Sequence, residues 1–216
     1  AVPTGEIEIS NQLQISEDTD EINASTTVDL ADRTWRLSGA TSTPFSMRYA
    51  DTIGVRTYAL GSINGSSSTV VYEGNNPSGT TTVLRADYHN LQIDNASETY
   101  ELADFLDITG TLTVATGTLD LDFYNLTTGG DVVVNGTLTG ERNVTVGGGD
   151  VTGDGAITMN DGVFTVNGSG LFGGGGIWTF NHLVFGNDGS AATTTGTGVG
   201  TSTVHGTGYQ YLYEDE

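Results

Sequence analysis

Cysteine is absent from this chain of 216 residues, so neither a disulfide nor a thiolate metal site contributes to its stability. Lysine is absent too. The six basic residues are all arginine (Arg33, Arg36, Arg48, Arg56, Arg85, Arg142) against 27 acidic ones, for a formal charge of −21. Such a surface repels nucleic acid and anionic membranes, which need clustered cations. It stays soluble, tolerates salt and attracts divalent cations. Proline numbers only 3 and no Gly-X-Y period exists, which excludes collagen and Pro-rich linkers. No run approaches the ~20 apolar residues of a membrane helix. His89, His182 and His205 are scattered, with no His pair at metal spacing and no Gly-X-Ser-X-Gly elbow. The Gly173–Gly176 run lacks the Lys-Ser/Thr of a phosphate loop.

What the chain does have is 32 glycines and a rhythm of short β-runs. Gly110-Thr-Leu-Thr-Val114, Thr118-Leu-Asp-Leu-Asp122, Asp131-Val-Val-Val134, Arg142-Asn-Val-Thr-Val146, Val163-Phe-Thr-Val166 and Ile177-Trp-Thr-Phe180 are each closed by Gly, Asn or Asp, at the run's end or within the next three residues. They recur about every 20 residues, with Asp107, Asp131, Asp150 and Leu171 near successive starts. A period of this size marks stacked units, none of which buries its apolar face until the next one covers it. The phrases Tyr88-His-Asn-Leu91, Phe123-Tyr-Asn-Leu126 and Phe180-Asn-His-Leu183 are expected at equivalent corners, forming an inner ladder. Thr99–Leu106 is the best helix candidate, but so short a helix is marginal in water.

The expected fold is all-β: a parallel β-solenoid (β-helix) over residues 68–185. An irregular β cap precedes it over 1–67, a flexible Gly/Thr-rich linker follows over 186–208, and a C-terminal strand closes it over 209–216. Ile7, Ile9, Leu13 and Ile15 alternate along a half-buried strand, and Tyr209, Tyr211 and Tyr213 share one face of another. The opening Ala1-Val2-Pro3-Thr4 reads as a mature terminus left by signal-peptide cleavage, or as an edited one. Sequons at Asn23, Asn64, Asn95, Asn125, Asn135, Asn143 and Asn167 agree with export and mark candidate glycosylation sites.

Thr69-Val-Val-Tyr-Glu-Gly-Asn75, Tyr88-His-Asn-Leu-Gln-Ile93, Asp107-Ile-Thr-Gly-Thr-Leu-Thr-Val114, Leu119-Asp-Leu-Asp-Phe-Tyr-Asn-Leu126 and Val132-Val-Val-Asn-Gly-Thr-Leu138 resemble the Gly/Thr/Asn-rich repeats of bacterial and archaeal exported surface proteins. That resemblance implies a parallel solenoid in an adhesin, a cell-wall-anchored protein or another exported structural protein. Residues 150–161 resemble a dockerin calcium loop. Asp150, Thr152, Asp154, the Ala156 carbonyl, Thr158 and Asp161 fall at positions 1, 3, 5, 7, 9 and 12, with Gly155 at the sharp turn. Thr at the third position, the lack of a duplicate and the strand pattern that follows fit a Gly/Asp turn between rungs instead.

Catalysis by carboxylates on one sheet face would use Asp120 with Asp122, or Arg85 and Asp87 with His89. The same alternation makes both sets the polar exterior of a half-buried sheet. Trp35, Trp178 and the three terminal tyrosines suit sugar stacking, although Trp178 beside Phe180 suits a core. The sequence therefore points to a non-enzymatic, extracellular, self-assembling structural protein of the cell surface. It would form a filament, sheath or surface layer as a homo-polymer joined by solenoid stacking or strand exchange through Ile7, Ile9, Leu13, Ile15, Tyr209, Tyr211 and Tyr213. The alternative is a glycan- or surface-binding adhesin or fibre module, and a polysaccharide-degrading enzyme stands third. No cofactor is required on this reading, with calcium as the one candidate.

Overall fold

Alternating apolar residues with Thr, Asn or Gly buries one side of a strand and leaves the other in water. A short strand built this way needs a neighbour above and below for its backbone groups. A computed structural model describes residues 6–10, 13–17, 27–28, 33–49, 59–60, 67–186, 193–205 and 211–212. It supplies those neighbours from successive coils of the same chain.

The first face stacks β1 (Glu6–Ile9), β4 (Thr34–Leu37), β7 (Thr69–Tyr72), the start of β10 (Asn90–Leu102), the start of β12 (Leu112–Asp120), β14 (Val132–Val134), β17 (Val151–Thr152), β20 (Gly170–Gly174) and β23 (Thr194–Gly198). The second stacks β8 (Thr81–Val83), the ends of β10 and β12, β15 (Thr137–Gly140), β18 (Ala156–Met159), β21 (Ile177–Phe180) and β24 (Thr201–Val204). The third stacks β3 (Thr27–Val28), β6 (Ala59–Leu60), β9 (Asp87–Tyr88), β11 (Leu106–Ile108), β13 (Leu126–Thr128), β16 (Val144–Val146), β19 (Val163–Val166), β22 (His182–Phe185) and β25 (Tyr211–Leu212). A separate pair joins β2 (Leu13–Glu17) to β5 (Phe45–Tyr49). The pairings within and between these coils are parallel, and no helix forms among the described residues, so the fold is a three-sided β-solenoid with about six continuous turns.

Register keeps like over like. Val70, Leu91, Leu112, Val132, Val151 and Phe172 make one inward rank, and Tyr100, Leu119, Leu138, Ile157 and Trp178 another. These residues are buried in one continuous core. The interior is therefore a column rather than a ball, and each rung contributes a few apolar side chains to it. At one end Phe172 meets Trp178, Phe180 and Phe185 at ring-centroid distances of 5.1, 5.9 and 4.9 Å.

Toward the other end the core carries polar groups, several of them paired with one another or with the backbone, while the Trp35 indole nitrogen and the Ser68 hydroxyl are buried without a hydrogen-bond partner among the described residues. The Tyr72 and Tyr88 hydroxyls lie 3.0 Å apart, Leu84 N–H donates to Tyr72, Tyr88 donates to the Leu84 carbonyl, and Tyr100 donates to the Gly74 carbonyl. Glu98, almost fully buried, accepts from the Asn76 N–H at 2.9 Å and the Thr81 hydroxyl at 2.8 Å. It pins the 73–80 bend where β10 bulges between its two faces.

Four expectations change. Within the segment read as an irregular cap, β1, β3, β4 and β6 lie in the same parallel columns as the regular turns, and of its described strands only the β2–β5 pair stands apart from them. The tract read as a linker contains β23 and β24, which add a rung. The helix candidate at 99–106 is the end of β10 and the start of β11, because neighbouring rungs pair with it. The three aromatic-to-Leu phrases are not equivalent: Tyr88 to Leu91 turns from third face to first, Phe180 to Leu183 from second to third, and Phe123 points to solvent at 58% exposure.

Burial pushes the Tyr72 phenol up to about 12 and raises those of Tyr88 and Tyr100 well above 10. The folded state holds these phenols neutral, so their contribution is complete below about pH 10 and is lost as pH rises through about 12. The phenolate absorbance of the last tyrosines to ionise is thus expected to rise together with loss of the β circular-dichroism signal. Full ionisation with an intact β spectrum would contradict this.

Candidate functional site

At each corner the inter-strand ladder is interrupted, and backbone N–H groups there need another acceptor. Short Asn and Asp side chains provide it, reaching one rung along the axis. Between third and first faces, Asn90 Oδ1 accepts from Thr111 N–H (2.9 Å), Asp131 Oδ1 from Asp150 (2.8 Å) and Asp150 Oδ1 from Leu171 (2.8 Å). Between first and second, Asn135 Oδ1 accepts from Asp154 (3.1 Å) and Asp154 Oδ1 from Gly175 (2.7 Å). Between second and third, Asn125 Oδ1 accepts from Asn143 (3.2 Å) and Asn143 Oδ1 from Val163 (3.0 Å). Glycine completes the second of these corners: a Cβ on Gly136, Gly155, Gly176 or Gly200 would run into the carbonyl oxygen of the glycine one rung before. Only hydrogen fits there.

These ladders decide where the dockerin-like residues lie. Asp150 and Asp154 occupy two different corners, Thr152 and Thr158 sit in strands of two different faces, and Ala156 opens β18 with its N–H bonded to Gly136. Asp161 is at the third corner, where its Oδ1 accepts from Asn181 Nδ2 at 3.1 Å. The coil spreads these oxygens around its perimeter instead of folding them about a point. Among the described residues no group of three or more His, Asp or Glu side chains is placed to hold a metal ion.

The carboxylate sets also separate. Asp120 ends β12, while Asp122 lies in the following turn with φ +48° and donates its N–H to Asp120 Oδ1. Arg85 binds Asp104 at 3.0 Å and stacks 3.7 Å over the Phe105 ring. Asp87 faces outward beside Asp107 on the next rung. Burial first, then the Asp107 charge, raises its carboxyl above the usual range, and Arg85 opposes the shift. His89 Nδ1 is 3.3 Å from the Thr109 hydroxyl. This is a polar flank on an open sheet face, with Arg85 tied to a structural partner. Trp178 is core, its indole N–H donating to the Gly155 carbonyl, and Trp35 packs against the core edge.

Of the sequons, Asn125, Asn135 and Asn143 are exposed at corners. Each uses its side-chain oxygen in a ladder, and among the described residues its amide nitrogen has no hydrogen-bond partner. Asn95 is half-buried and donates to the Glu73 carbonyl; Asn167 is half-buried with its side-chain oxygen enclosed. Asn23 and Asn64 lie outside the described residues, as do Tyr209 and Tyr213.

The predicted contact strands lie at opposite ends. Ile7 and Ile9 are in β1, Leu13 and Ile15 in β2 opposite Phe45 and Met47, and Tyr211 is in β25 opposite Val184. A shallow, open groove of about 380 Å³ crosses the last rungs of the first face. Glycines 173–175 and 198 floor it, Leu171 and Val199 border it, and Asp154 lies at its rim. Two features escaped the sequence reading: the Asn/Asp ladders and one outward rank of threonine on the second face, Thr139, Thr158, Thr179 and Thr203. Their signal was a recurrence of Asx and of Thr at the coil period.

Replacing Asp154 or Asn143 by Ala removes one corner acceptor, and each change is expected to lower stability by about 1 kcal/mol in denaturant unfolding. With Asp150, Asp154 and Asp161 engaged by the chain itself, a chelator is expected to leave the melting temperature unchanged; a calcium-dependent rise would contradict that assignment. No helix among the described residues is long and apolar enough to cross a membrane. Comparison with protein-family descriptions, curated proteins and solved structures finds no match to this chain.

Proposed function

We propose that this chain is an extracellular structural subunit that stacks end to end into a filament, sheath or surface layer. One observation carries the reading: among the described residues, Ile7 and Gly196 are the first and last members of the same inward rank. Ile7 pairs with Trp35, Trp35 with Val70, and the series runs on through Phe172 to Gly196. Ile7 is 36% exposed at its end, and at the other a Cβ on Gly196 would touch nothing. A second copy placed in axial register sets Ile7 over Gly196 and β1 beside β23, prolonging both core and ladder. Edge strands at both ends offer backbone groups for that joint. Such a contact is head to tail, and without closure it propagates into an open polymer.

Export is supported by the sequons, and Asn125, Asn135 and Asn143 are the proposed acceptors. A glycan on the amide nitrogen leaves the ladder oxygen in place. The second reading, a discrete adhesin that binds a glycan or another surface, is favoured by the groove between Leu171 and Val199.

Negative-stain microscopy across a wide concentration range tests the choice. Filaments are expected for the native chain and single particles for Ile7→Glu, which puts a charge into the joint. Single particles throughout, with glycan binding weakened by Leu171→Asp, would instead establish the adhesin.

A further inference from the structure

Three asparagines of this chain precede glycine: Asn64, Asn135 and Asn167. Asn64 lies outside the described residues, and the other two sit at corners of the coil in opposite settings. Asn135 is tied on both sides of its link to glycine. Its Oδ1 accepts from the Asp154 N–H at 3.1 Å, and the Gly136 N–H donates to the Val114 carbonyl at 2.9 Å. Asn167 has neither tie. Among the described residues its side-chain amide makes no hydrogen bond, its Oδ1 is enclosed without a partner, and the Gly168 N–H is unpaired. Axial stacking explains the difference. In each Asx ladder the oxygen accepts from the N–H of the equivalent residue one rung on. For Asn167 that residue is Gly186, whose N–H already donates to the Val166 carbonyl at 2.8 Å.

From this contrast we infer that Asn167-Gly168 is a site of self-modification, where the side-chain amide is lost without an enzyme. Glycine has no side chain to shield its backbone nitrogen, so attack on the preceding side chain is easiest in an Asn-Gly pair. The Gly168 N–H proton passes to a solvent base and the nitrogen bonds to Asn167 Cγ. The Cγ–Nδ2 bond then breaks, and Nδ2 takes up a proton and leaves as ammonia. Water opens the resulting cyclic imide at either carbonyl, which leaves an aspartate or an isoaspartyl link through the side chain. An amide and a water thus become a carboxylate and ammonium, with no other reactant. No hydrogen bond among the described residues opposes the rotation that brings Asn167 Cγ to the Gly168 nitrogen. At Asn135 the same attack first breaks two hydrogen bonds, which together slow it by roughly ten-fold or more.

The product matters to the coil. Asn167 lies between β19 and β20, and an isoaspartyl link lengthens the backbone there. Gly168 packs so tightly on the preceding rung that even a Cβ would overlap the Gly148 backbone. The corner has no room for a longer chain, so β20 is expected to lose its register on β17. The inference stands apart from the filament and adhesin readings, because it needs only the two corners.

The test uses the full chain made without N-glycans, because a sugar on Nδ2 would hold the leaving group. The folded protein is kept at mildly alkaline pH in heavy-oxygen water, while circular dichroism checks that the β spectrum persists. A second sample is held in denaturant. Peptide mass spectrometry then follows the change from amide to heavy-labelled carboxylate at Asn135 and Asn167. In the folded chain Asn167 is expected to convert roughly ten-fold faster than Asn135, or more. In denaturant, where the hydrogen bonds of both corners are gone, the two rates are expected to converge. Similar rates in the folded chain overturn the site, as does faster conversion at Asn135. A folded chain in which neither residue converts while the unfolded one does overturns it as well. So does a difference that persists undiminished in denaturant, since the local sequence and not the coil would then set the rate.

Discussion

Each coil of this chain leaves most of its backbone N–H and C=O groups without a partner inside the coil, and the partner lies one rung away. That dependence sets the rest of the structure. Strand directions must agree from rung to rung, which the parallel pairings satisfy. Side chains must then superpose, so that Leu91 over Val70 and under Leu112 becomes part of a continuous apolar column. Where the coil turns and the ladder fails, Asn135, Asp154 and their counterparts carry the bond across. Much of the acidity of the corners is therefore structural, and a count of carboxylates says little about chemistry here.

The same dependence separates what was readable in the sequence from what was not. Alternation and a period near 20 residues are properties of single strands and of one full coil, so the solenoid and its core at Leu112, Val132, Val146 and Phe164 could be read directly. The phase of the coil could not. All three faces use the same apolar-polar alternation, so Asp107, which lies on the third face, looked equivalent to Asp131 and Asp150, which open the first. The aromatic-to-Leu phrases misled for the same reason.

Residues 194–204 show the limit in another way. Gly/Thr composition suits a flexible tether as well as a terminal rung, and what decides is the edge offered by β20 and β21. The dockerin-like run depends on context too. Its spacing matches a loop that curls around an ion, but the neighbouring rungs hold it extended around two sides of a coil. Glu98 carried no local signal, because its partners Asn76 and Thr81 belong to the preceding coil.

The axial direction of the ladders has a mechanical consequence. Tension along the solenoid pulls on the bonds between two rungs across all three faces together, so load is shared before any coil opens. Each rung buries its own share of the apolar column, and the coils on either side of a break keep most of their partners. Stretching such a body yields successive releases of one coil length each, and rungs that meet again can re-form in the same register.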